Sequence, residues 1–276
     1  MSLLNHALHA GRADGRSTGV GAGSVIVVGG GGALGSAVLE QLLASRRFAA
    51  VRVLVTREVH VAMGGLDTVV GGPTEGADTE GNPGEPVATP GPVLERVAVV
   101  VFDRPRHANG RELAFARPQP EALPALARWL YGRGVRQLLV VLPHRPAGLP
   151  QALQAGLANL DEHAVSALGF EHLVFVRSAQ APSGARSARW LQRVADALLS
   201  QFSIMVAAPQ QPVRPRKVAE LVVALAHQLP HSPPGTRVAS AELVWQAAQT
   251  GEPGTLVADW LAGEALPAVA AQRQRL

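Results

Sequence analysis

The sequence predicts an α/β chain built as a doubly wound parallel sheet, and three observations predict it. Short β-branched runs alternate with apolar-striped helices over most of the length. A glycine-rich turn joins the first run to the first helix. Two later runs, Val97 to Phe102 and Gln137 to Leu142, are apolar at nearly every position, the pattern of strands buried on both faces.

Taken in order, Ser24 to Val28 is the first strand, and Gly29 to Gly35 turns it without pause into a helix running through Leu43. Arg46 and Arg47 close that helix at the end where cations suit its dipole. Val51 to Thr56 is the next strand and completes a βαβ unit. Thr68 to Val70 forms a short strand before a long loop, because residues 71–92 are crowded with Gly, Pro, Thr and acids and carry no apolar period. Order resumes with the strand Val97 to Phe102, the helix Glu121 to Tyr131 and the strand Gln137 to Leu142. Leu153, Leu157, Leu160, Ala164 and Leu168 place one apolar stripe on the following helix. His172 to Val176 is the strand after it.

The last third reads as more irregular. It holds an amphipathic helix from Ala188 to Phe202, a short strand from Ile204 to Val206 and a helix from Pro215 to His227. The strand Thr236 to Ala239 follows, with helices around Leu243 to Ala248 and Leu256 to Ala262. We expect residues 1–22 to be a disordered tail and 23–276 a single domain. Within that domain, about 180–276 is a small irregular C-terminal part that faces substrate or partner.

Composition narrows the chemistry. Of 276 residues, 47% are hydrophobic and 17% charged, which marks a core-forming chain. Cysteine is absent, so disulfides, Cys-ligated metals and thiol nucleophiles are excluded. The net charge of +4 is too small to argue for nucleic acid. No run approaches a membrane span, since Glu220 and His227 break even the apolar stretch from Val218 to Leu229. Cytoplasm is the expected compartment, although two arginines and a Ser/Gly-rich stretch before Gly23 leave a transit-peptide alternative. One Tyr and one Lys, Tyr131 and Lys217, serve the whole chain.

The glycine turn fits G-x-G-x-x-G from Gly30 and G-x-x-G-x-x-G from Gly29. Either places a backbone without Cβ atoms against a pyrophosphate at a helix N-terminus, where free N–H groups and the helix dipole favour an anion. The cradle is expected from Gly29, Gly31, Gly32, Ala33, Leu34 and Gly35. Phe102 either covers the cofactor or fills the core. At the end of the second strand, an acid would hold the ribose of NAD, but Thr56 and Arg57 stand there and suit a 2′-phosphate, which favours NADP. Glu58 keeps NAD open.

These segments, with Gly134 to Val141, Gly169 to Arg177 and Pro212 to Ala219, resemble atypical, extended-type short-chain dehydrogenase/reductases, nearest to the NmrA-like NAD(P)H-binding branch. The resemblance spans about residues 24–246, and only its glycine motif is highly specific. It implies a Rossmann fold and a nicotinamide cofactor. It does not bring the catalytic pair, whose Tyr and Lys positions fall near Gln154 and Ala158; Glu162 and Arg177 match an acid and an arginine of the pattern. No shift of register restores a Tyr/Lys pair, and that mechanism needs a phenol with its pKa lowered by a neighbouring ammonium.

Substitute acids are His144 and Asp103, each just past a strand end. Tyr131 reads as a packing residue, and Lys217 as a solvated one. No catalytic residue and no metal ligand set is assigned: the nine histidines show no ligand spacing, and no Walker A motif exists. The expected function is a nicotinamide-dinucleotide binder without the usual catalysis, acting as a redox-cofactor sensor or regulator of a protein partner. An oxidoreductase or isomerase using other groups, or a scaffold that has lost the cofactor, are the alternatives.

Overall fold

A computed structural model describes residues 23–57, 59, 64–73, 95–103, 114–144, 162–179 and 213–264. The expected helix from Ala188 to Phe202, the strand from Ile204 to Val206, the loop 71–92 beyond Pro73 and both termini lie outside these residues. So do Glu58, Gln154 and Ala158.

Among the described residues, seven strands form one sheet: β1 (Ser24–Val28), β2 (Val51–Val55), β3 (Leu66–Val70), β4 (Glu95–Val101), β5 (Gln137–His144), β6 (His172–Ala179) and β7 (Gly235–Ala239). All neighbours are parallel, in the order β3-β2-β1-β4-β5-β6-β7. The expected short strand at Thr68 to Val70 is a full edge strand, with Val51 facing Leu66 and Val55 facing Val70. Among the described residues, the helices seen from end to end are α1 (Ala33–Ser45), α2 (Leu123–Gly132), α3 (Pro215–Gln228), α4 (Ala241–Gln249) and α5 (Gly254–Ala262).

The central strands β1, β4, β5 and β6 are largely apolar because both faces of the sheet are covered there. Val25, Val27, Val97, Val99 and Val101 point into a core shared with α1, α3, α4 and α5. Ile26, Val28, Ala98, Val100 and Phe102 point to the opposite side, under α2. Alternation along each strand decides which residue goes where. The helix α3 is the most enclosed: all of Val218–Ala226 except Glu220 is buried, which explains its nearly unbroken apolar sequence. Pro215 starts it, where a missing N–H costs nothing.

Two ends need separate accounts. Arg46 closes α1 in the left-handed region at φ 50°, donating its N–H to the Leu43 carbonyl. β5 runs on to His144, so His144 is the last residue of a strand and not part of a loop. The pairing of β4 with β5 ends with Val101 opposite Val141. Pro143 therefore sits where β5 has β6 on one side only, a position that tolerates a residue without an N–H.

Candidate functional site

The chain builds β1, β2 and β3 outward in one direction, then returns to place β4 on the other side of β1. The carboxyl ends of β1 and β4 thus flank the point where strand order reverses, the place where open α/β sheets bind ligands. The fold is a Rossmann fold. Its glycine turn leaves β1 at this switch point and enters α1.

Two of the turn's glycines, Gly29 and Gly35, are required by close backbone approach, and a third, Gly30, by side-chain packing. Gly29 has φ +96°, and a Cβ there would overlap the carbonyl oxygen of Val101 on β4. A Cβ on Gly35 would overlap the carbonyl oxygen of Gly29, so the first turn of α1 packs directly on the glycine run. A Cβ on Gly30 would press on the side chains of Leu39, Val53 and Phe115. Gly32 differs: it is the N-cap of α1, in extended conformation, and the atoms nearest its missing Cβ belong to the Asp103 side chain.

Asp103 follows β4, one residue past Phe102, and alternation turns the two to opposite faces. Phe102 is 4% exposed and sits in the core beneath α2. The Asp103 carboxylate instead reaches α1, where its Oδ2 accepts hydrogen bonds from the backbone N–H of Leu34 and, at 3.3 Å, of Gly35. α1 has no side-chain cap at Gly32 and no acid in its first turn. Asp103 supplies the countercharge from another strand. This candidate acid thus has its carboxylate engaged with the turn. Ser36 completes the local bonding, its hydroxyl donating to the Gly30 carbonyl at 3.2 Å.

A second covering segment was not anticipated. Residues 114–118 cross the end of β2 and the glycine turn, with Phe115 bridged antiparallel to Val55. Thr56 donates from its N–H and its hydroxyl to the Ala114 carbonyl, at 2.8 and 3.2 Å, and the Ala116 N–H donates to Leu54. Thr56 and Arg57 are exposed at the end of β2, as the sequence placed them. Gly29, Gly31, Gly32, Asp103, Arg117 and Pro118 line a cleft with about 10 Å³ of free room. That is about enough for one water molecule. No apolar period marks the segment 114–118, so only the fold reveals it.

The other singled-out residues fall away from the turn. Glu162 and Arg177, the latter on β6, are brought together, with Arg177 Nη2 donating to both carboxylate oxygens at 3.2 Å. Beside them Ser178 is 1% exposed, and its hydroxyl has no hydrogen-bond partner among the described residues. Tyr131 packs edge-on against Phe170, with the Arg136 guanidinium 4.3 Å above its ring, at the end of α2 remote from the turn. Lys217 pairs with Glu220 at 2.8 Å. Among the described residues, the two histidines with displaced pKa, His172 and His227, lie at the amino end of the strands and in the last turn of α3. No group of three or more His, Asp or Glu could hold a metal among the described residues, and none of their helices is long and apolar enough to cross a membrane.

No protein-family model matches the chain, and no curated protein matches it by sequence. Similar solved structures include a nucleoside-diphosphate-sugar epimerase from Staphylococcus aureus, at 13% identity over 82% of this chain and 77% of that one, with a TM-score of 0.43. A Rossmann-fold NAD(P)-binding family protein from Shigella flexneri shows 14% identity over 77% and 90%, with a TM-score of 0.41. A short-chain dehydrogenase/reductase superfamily protein from Agrobacterium tumefaciens with bound NAD shows 16% identity over 79% and 77%, also at 0.41. Likeness at this level transfers no function, and the Rossmann assignment rests on the strand order and glycine turn of this chain.

Proposed function

We propose that this protein binds a nicotinamide dinucleotide at the β1–α1 turn and acts as a sensor of its redox state, without Tyr/Lys hydride chemistry. The observation that carries the reading is a turn free of Cβ atoms at the strand switch point whose N–H groups already hold an anion, the Asp103 carboxylate. The same groups suit a pyrophosphate. Arg57 and Thr56 at the end of β2 favour the 2′-phosphate of NADP, and the chain's one Tyr and one Lys are separated and engaged in packing and an ion pair. The expected location is the cytoplasm and the expected client a protein partner.

The narrow cleft and the covering segment 114–118 favour a second reading, a scaffold whose turn has become structural. Fluorescence titration with NADPH and NADP+ separates the two. A sensor binds both, with affinities differing at least tenfold, because a ligand couple of equal affinity shifts no equilibrium. Gly32→Asp, which adds a second carboxylate at the turn, abolishes the binding. Absence of any response at millimolar cofactor leaves the scaffold. Turnover of NADPH with ketones, aldehydes or quinones that is lost in His144→Ala replaces the sensor with an oxidoreductase.

A further inference from the structure

The anion seat of the glycine turn is filled from within the chain. Leu34 and Gly35 give their N–H groups to Asp103, a residue 69 and 68 positions away that arrives from the neighbouring strand. A bound pyrophosphate would draw on the same first-turn N–H groups and the same helix dipole. One set of donors cannot serve the carboxylate and a pyrophosphate together, and the two are anions of like sign that would stand in contact. Gly32 sharpens the conflict, since the space its missing side chain leaves is taken by the Asp103 carboxyl group. The same carboxylate lines the cleft at the turn, so an anion entering there meets Asp103.

We propose that Asp103 is a built-in competitor for the phosphate seat: it closes the turn in the ligand-free protein, and a pyrophosphate-bearing ligand binds only by displacing it. The identity of that ligand as a dinucleotide rests on the reading above, whereas the competition does not. The apparent affinity is then the intrinsic affinity reduced by the fraction of molecules in which the seat is open. Arg117, on the rim of the same cleft, is placed to meet either anion. Displacement of Asp103 also releases the end of β4 from α1, so the liganded and free proteins differ in a contact between two core elements.

The test compares the full chain with Asp103→Ala, which removes the carboxylate, and Asp103→Asn, which keeps its shape and removes the charge. NADPH and ADP should bind Asp103→Ala at least tenfold more tightly than the parent, with Asp103→Asn between them. Adenosine, which has no pyrophosphate, should gain nothing. Without ligand, Asp103→Ala should melt at a lower temperature, and inorganic pyrophosphate should restore more of its melting point than it adds to the parent. Equal NADPH and ADP affinities in all three proteins overturn the competition and leave the dinucleotide reading standing. No NADPH binding by any of them, with pyrophosphate still stabilising Asp103→Ala selectively, upholds the competition and removes the dinucleotide. If Asp103→Ala fails to fold, the affinities of Asp103→Asn decide alone.

Discussion

Gly35 and Gly32 stand three residues apart in one motif, yet they serve different purposes. A Cβ on Gly35 meets backbone that cannot move, whereas a Cβ on Gly32 meets the short Asp103 side chain, from its carboxylate down to its Cβ at 2.8 Å. Gly35→Ala should therefore destabilise the fold by about 1–3 kcal/mol or more, the range of an overpacked core. Gly32→Ala should cost less than Gly35→Ala, since its extended conformation suits alanine and the Asp103 side chain can move aside, although at the loss of its bonds to Leu34 and Gly35. Urea midpoints of the two variants check the contrast; equal losses would mean that the turn cannot relax around Asp103. The spacing of glycines was legible in the sequence, but which glycine serves the strand–helix contact and which faces the seat was not. Phe102 and Asp103 show the same limit. Their alternation was readable, with Asp103 on the face of Val99 and Val101, but not that α1 lies over that face and turns the carboxylate into a cap. Thr56 was legible as a strand-end hydroxyl, while its bonds to Ala114 depend on a segment with no periodic signal.

At the scale of elements, period and punctuation marked the described strands and helices, because the central strands are buried on both sides and each helix opens or closes on Gly, Pro or Ser, whereas the edge strands β3 and β7 are largely exposed and show a weaker apolar signal. Ser240 illustrates the last case: its hydroxyl caps α4 by accepting from the Leu243 N–H at 3.3 Å. The boundaries that moved have tertiary causes. β5 extends through Pro143 because β6 continues beside it, and β3 is longer than its apolar residues suggest because it pairs with β2 along its whole length. A pairing invisible to local reading joins elements that are not neighbours. Arg52 on β2 reaches across β1 to Glu95 on β4, which is 1% exposed, and lies 3.9 Å from Asp67 on β3. Arg52→Met alone should cost on the order of 2–4 kcal/mol, less than for a fully enclosed pair because Arg52 keeps some water. Arg52→Met with Glu95→Leu should recover most of that loss. A double variant no more stable than the single one in urea would show that the cost is packing and not an abandoned charge.

Across the whole molecule, the two ends of the sheet divide the work. The carboxyl ends hold the glycine turn, Asp103 and Arg57, whereas the amino ends hold the histidines with displaced pKa. His172 is 5% exposed, and its pKa is lowered from the usual 6.5 by burial first and by the Arg237 guanidinium second, with Glu171 opposing. The unfolded chain therefore takes up a proton more readily than the folded one. Stability is complete above about pH 6.5 and is lost as the pH falls through that value towards the lower folded pKa. Urea midpoints should decline between pH 7.5 and pH 5.5, and His172→Gln should flatten the decline. An identical slope in the variant would assign the acid sensitivity elsewhere, with His227, lowered in the same direction, the next residue to replace. The doubly wound sheet was legible at this scale from strand and helix alternation. The buried pair and the covering segment were not, because each joins residues more than forty positions apart.

The bridge between Arg52 and Glu95 has a topological meaning beyond its energy. It can close only after β1 has been inserted between β2 and β4, since the two charges come from strands on either side of it. A sheet threaded in another order would strand a carboxylate in the interior with no cation within reach. The pair thus acts as a proofreader of strand order, penalising misassembled sheets more than it rewards the correct one.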